Sequence, residues 1–200
     1  ETRVPINMTE DTVVVGKFKR PAKWIAGKDG SLPRKPVAMD LYQEPVVYLG
    51  RALHNGHYIP GQIVPSEGVC YIGYGGEAIA KSEYHTLSNP NDTEFDWIPS
   101  TYGMIPSGGL IGGEAERGEP LFFGRVVHEG VTIVGKIHPS HQCLYFPYNG
   151  EELKSEEYEC LCVRCIPYFE GDSEDEEGQE DVPSCRGDCP PEEDNEVPAE

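Results

Sequence analysis

The sequence predicts an all-β fold, built as two tandem antiparallel β-repeats packed as one body and followed by a disordered acidic C-terminal tail. Three observations carry this expectation. A segment that starts at Trp24 returns from Trp97. The chain between is divided into short β-rich runs bounded by Gly, Pro and Asn. Negative charge is concentrated at the C-terminal end rather than spread along the chain.

Residues 12–18 read as a strand within an N-terminal segment, 1–23, able to pair with a sheet edge of this chain or of a second molecule. The first repeat then covers 24–87, a polar linker 88–96, and the second repeat 97–169, with a period of 73 to 74 residues. Trp24-Ile25 answers to Trp97-Ile98, Gly30 to Gly103, Gly50-Arg51 to Gly124-Arg125, His54 to His128, Gly61 to Gly135, Pro65-Ser66 to Pro139-Ser140, and Tyr84 to Tyr158. Pro or Gly interrupts every window long enough for a helix, so the body is expected to be nearly helix-free. One unit of this size is marginal alone, which predicts that the two copies share a core.

Residues 170–200 hold fourteen carboxylates and one Arg, and so carry −13 of the chain's formal charge of −19. Such a segment repels itself and buries little, which predicts disorder. The same charge disfavours phosphate backbones and anionic lipid surfaces, so nucleic-acid binding is not expected, and no apolar run approaches a membrane span, so neither is membrane insertion. No cofactor is expected either. Seven cysteines, a chain beginning at Glu1 instead of Met, and the sequons at Asn7 and Asn91 point to a secreted, glycosylated, extracellular protein.

The Trp-Ile start, Gly50-Arg51-Ala52, Pro60-Gly61 and Tyr74-Gly75-Gly76-Glu77 resemble the DM-nine repeat family, with two copies over residues 24–161. Some members are mannose-binding lectins that hold sugar hydroxyls with an Asp and with the Lys of a Pro-Gly-Lys motif. The resemblance thus points to Asp40 and Gln62 in the first copy and to Glu114 and Lys136 in the second as glycan-binding positions. Each copy keeps half of the pattern: Gln62 replaces the Lys in one, and Glu114 stands near the acidic position in the other.

The tail contains Cys185-Arg186-Gly187-Asp188-Cys189-Pro190-Pro191. A Cys-x-x-x-Cys pair closes a small ring where the chain turns, and Gly187 supplies the freedom for that turn. Closure holds Arg186 and Asp188 on one tip. Asp188 then suits the metal shell of an integrin as a ligand to the partner's Mg²⁺, and Arg186 suits a carboxylate on its other subunit. The arrangement resembles disintegrin-like salivary integrin antagonists, which implies impaired hemostasis: block of the platelet fibrinogen receptor and inhibition of platelet aggregation through lost cell adhesion.

Two further expectations compete with this one. Tyr168-Phe169-Glu170 and the acidic run behind it resemble segments that occupy a basic thrombin exosite, and the repeat alone implies a glycan-binding, pattern-recognition protein. An enzyme is not expected. His54 and His128 fall at equivalent positions, which suits a shared structural role, and neither His138 with His141 nor Cys162 with Cys165 has the second ligand pair of a structural zinc site. Beyond the proposed ring disulfide, Cys70, Cys143, Cys160, Cys162 and Cys165 leave an odd thiol, hence the expectation of a free Cys or a covalent dimer.

Overall fold

The computed structural model describes residues 21–40 and 43–165. They form a predominantly β body of thirteen strands: β1 (Lys23–Lys28), β2 (Tyr48–His54), β3 (His57–Val64), β4 (Val69–Tyr74), β5 (Glu77–Lys81), β6 (Glu83–Ser88), β7 (Glu94–Thr101), β8 (Ile111–Glu114), β9 (Pro120–His128), β10 (Val131–His138), β11 (Cys143–Tyr148), β12 (Glu151–Ser155) and β13 (Glu157–Cys165). The described residues contain no α-helix, only two three-residue 3₁₀ turns, Pro65–Glu67 and Pro139–His141. Each begins on Pro, whose fixed φ suits a helical first position, and each ends on a left-handed residue, Gly68 or Gln142.

All strand pairings are antiparallel, in the order β1-β6-β2-β3-β4-β5-β12-β11-β10-β9-β13-β7, with β8 added beside β9. Read from either end, the order has the same connectivity. The junction lies at β5 and β12, where Glu77 stands opposite Glu151 and two backbone bonds of 3.0 Å cross, Ala78 N–H to Gly150 and Glu152 N–H to Gly76.

Local register repeats across the junction. Gly50 pairs with Gly61 in the first half, and Gly124 with Gly135 in the second. At Gly61 a Cβ would meet the Tyr71 carbonyl oxygen at 2.1 Å, and at Gly135 the Tyr145 oxygen at 2.0 Å. Glycine is required at both because the neighbouring strand's backbone occupies the side-chain position.

The core has three clusters. One centres on Ile59, Ile63 and Ile72 of the first half and takes in Leu121 from the second, and another lies within the second around Ile133, Ile137 and Phe146. The third draws Leu49, Val64 and Leu87 from the first half and Phe123, Val134 and Leu161 from the second. Trp24 stacks on Phe123 at 5.9 Å within it.

Strands cover both ends of the stretch 88–96. Ser88 closes β6 and pairs with Lys23, while β7 already starts at Glu94 and pairs with β13 as far as Cys165. Between them, Asn89 accepts from the Thr93 N–H and donates to its carbonyl, and Lys35 bridges to Asp92 at 2.7 Å. The proposed N-terminal strand and the acidic tail lie outside the described residues.

Candidate functional site

The four positions singled out for sugar binding fall into two settings. Gln62, on β3, points an amide across to β10, where its Oε1 accepts from the Val134 N–H at 3.2 Å. It lines an open recess of about 330 Å³ together with Val64, Glu67, Tyr71, Ala78, Val131, Ile133 and the turn from Pro147 to Gly150. Both halves contribute to this recess. Tyr71 donates to Glu67 at 2.5 Å, and that bond, with burial, raises the phenol above its ordinary value. Asp40 follows Met39 just ahead of β2 and is not among the residues that line the recess.

Lys136, on β10, holds the position that corresponds to Gln62, but its surroundings are closed. It is 7% exposed. Its ammonium donates to the Gly73 carbonyl at 2.6 Å and to Glu152 Oε1 at 2.8 Å, with the rings of Tyr74 and Tyr145 at 5.3 and 5.6 Å. The other Glu152 oxygen accepts from the Gly76 N–H at 2.9 Å. Burial and the neighbouring Cys143 push the Tyr145 phenol up to about 12. The carboxylate that meets Lys136 is therefore Glu152, and Glu114 instead stands 3.9 Å from the His57 ring on β3.

The segment from β8 to β9 borders the Lys136 setting. Glu116 accepts from the Tyr74 hydroxyl at 3.0 Å. Glu119 accepts from the Ser140 backbone and hydroxyl, both at 2.7 Å, and lies 3.4 Å from His138. The Ser140 hydrogen bonds hold the Glu119 carboxyl below its ordinary value. His138 and His141 stack face to face, 3.6 Å apart and 2° from parallel, and burial followed by the neighbouring His141 lowers the His138 imidazole. No group of three His, Cys, Asp or Glu able to hold a metal occurs among the described residues.

His54 and His128 make matching contacts, edge-on to Tyr74 at 4.6 Å and to Tyr148 at 4.8 Å. Cys70, Cys143, Cys160 and Cys162 are buried free thiols. Burial raises all four thiols above their ordinary value, which makes thiolate chemistry unfavourable. Asn91 lies in the β6–β7 turn. Asn7, Arg186, Gly187, Asp188, Cys185 and Cys189 lie outside the described residues.

Sequence reasoning missed Glu67, Tyr71, Tyr148 and Asn149 around Gln62, and Glu152 beside Lys136. The signal for Glu152 was available: it replaces Ala78 at the matching position, as Lys136 replaces Gln62.

The described residues thus define an antiparallel β-repeat body that carries two open recesses. The DM9 repeat matches residues 40–168, more than half of the chain, and the protein belongs to that family. No curated protein matches the chain. Among solved structures, the nematode sperm cell motility protein MFP2B is similar, with a TM-score of 0.58 at 18% identity over 84% of this chain. The chain spans 50% of the length of that protein, and the likeness is one of fold.

Proposed function

We propose that the body is a glycan-binding module and that its ligand seats in the Gln62 recess. The observation that carries this reading is the recess itself: about 330 Å³, open, lined by two amides, a carboxylate and two tyrosines beside apolar side chains. Sugars need oriented hydrogen-bond partners for their hydroxyls and an apolar surface for their ring faces, and Gln62, Glu67, Tyr71 and Asn149 offer that combination. The body is read here as two tandem copies, supported by the mirrored strand order and matching glycine pairs. On that reading one copy keeps an open site, while Glu152 occupies the ammonium of the other.

The test is calorimetric titration with mannose and a glycan array, comparing wild type with Gln62→Leu and Tyr71→Ala. Saturable mannose binding that both substitutions abolish supports the reading. Equal binding by all three proteins, or none by wild type, rejects it.

A second reading rests on the tail sequence. The cysteine-flanked Arg186-Gly187-Asp188 supports an integrin-directed role, with the body as carrier of the loop. Both readings place the protein outside the cell, where buried thiols of raised pKa stay inert. Inhibition of fibrinogen binding to purified platelet integrin should be lost in Asp188→Ala and weakened in the paired Cys185→Ser, Cys189→Ser variant. Equal inhibition by all would remove the loop from consideration.

A further inference from the structure

Two arginines occupy matching positions in the shared core. Arg51 lies over Trp24 at 4.2 Å, and Arg125 over Trp97 at 4.6 Å. Each donates across to the opposite half at 3.4 Å, Arg51 to the Gly112 carbonyl and Arg125 to the Met39 carbonyl. Each also has a directly opposed residue on the adjacent strand, and here the halves differ. Opposite Arg125 stands Glu159, whose carboxylate accepts from the guanidinium at 2.6 Å. Opposite Arg51 stands His85.

The substitution leaves a partly buried guanidinium with no carboxylate among the described residues. Its Nε and the His85 Nδ1 are both buried without a hydrogen-bond partner. Burial lowers His85 below its ordinary value, and the charge of Arg51 lowers it further. Unpaired polar atoms in such a place are costly, so a group that accepts from the Arg51 Nε–H, and from His85 in its Nδ1–H tautomer, gains what water does not supply.

A recess of about 430 Å³ opens beside them, lined by Ala26, Lys28, Leu53, Tyr58, Glu83 and His85, with the adjoining Gly27 and Tyr84. Tyr58 links recess and arginine, because its ring lies 4.3 Å from the Arg51 guanidinium and 4.8 Å from the His85 ring. The walls are apolar at Ala26, Leu53 and Tyr58, and Lys28 and Glu83 oppose each other at the rim.

We propose that this recess binds a small organic acid, a carboxylate on an apolar body, whose carboxylate supplies Arg51 with the charge that Glu159 supplies to Arg125. His85 is the second donor. Arg51 does not itself line the recess, and the carboxylate reaches its guanidinium past the directly opposed His85 ring, whose Nδ1 carries no hydrogen bond. The apolar body of the ligand lies against Leu53 and Tyr58. The site is separate from the Gln62 recess, with which it shares no lining residue.

The probe is hydrocinnamate, with hydrocinnamyl alcohol as its neutral counterpart, titrated into the whole chain and followed by calorimetry and by the His85 imidazole resonances. The acid should bind at least about tenfold more tightly than the alcohol, the advantage of a charged hydrogen bond, and should shift the His85 signals. His85→Glu, which installs internally the carboxylate already present in the other half, should erase the preference for the acid. Should that variant not fold, Leu53→Asp at the 53% exposed rim should weaken the acid and spare the alcohol. Equal binding of acid and alcohol, absence of binding, unmoved His85 signals, or undiminished acid binding in the variant overturns the proposal.

Discussion

Lys136 was visible in the sequence as the residue after Gly135, yet its surroundings were not. The partner, Glu152, comes from β12 and the cap on that carboxylate from Gly76 in the other half, and neither neighbour follows from spacing along the chain. The pair is nearly sealed, at 8% and 7% side-chain exposure. Lys136→Met should therefore destabilise the fold by about 3–5 kcal/mol, because it strands a buried carboxylate, and Lys136→Met with Glu152→Leu should recover most of the loss. Urea denaturation of the three proteins measures this. Histidine protonation is a second property of single residues. His54, His85 and His138 are all lowered from 6.5, in each case chiefly by burial. A lowered folded value means that the unfolded chain binds more protons in the window between the two values. Stability is thus full above about pH 6.5 and falls as pH drops towards the folded values, below which this contribution levels off. The melting temperature should fall between pH 7.5 and 5.5, and replacing His85 and His138 by Gln should flatten that slope.

At the scale of elements, strand positions were legible because turn residues and β-rich runs alternate so regularly. Pairing partners were less so, since register depends on which glycine faces which backbone. Gly61 and Gly135 show the point: in sequence they are matching glycines, and in the fold each lies against the carbonyl of the strand beside it. Gly61→Ala and Gly135→Ala should each destabilise by about 1–3 kcal/mol or more, and by similar amounts, in chemical denaturation. The β5–β12 junction could not be read at all, because Glu77 opposite Glu151 is an unfavourable pair that no pattern would select. Glu77→Lys should raise the melting temperature at low salt. The gain should shrink at high ionic strength and disappear when Glu151→Lys is added.

For the whole molecule, the shared cluster of Leu49, Val64, Leu87, Phe123, Val134 and Leu161 makes each half the other's hydrophobic cover. Residues 21–165 should unfold in a single transition, with calorimetric and van't Hoff enthalpies equal, and a fragment of 94–165 alone should not give dispersed amide resonances. Two resolved transitions would contradict this. The expectation of a shared core came from size alone, while the means, arginines exchanged between halves, had no sequence signal beyond the recurring Gly-Arg. On the proposed two-copy reading, that exchange has an evolutionary consequence. Arg51 reaches Gly112 as Arg125 reaches Met39, which is the self-complementary contact of a twofold dimer enclosed in one polypeptide. In a true homodimer every substitution appears twice, so neither site can change without the other. Covalent linkage lifts that constraint, and on the same reading His85 facing one arginine while Glu159 faces the other is a divergence that a fused pair can keep and a homodimer cannot.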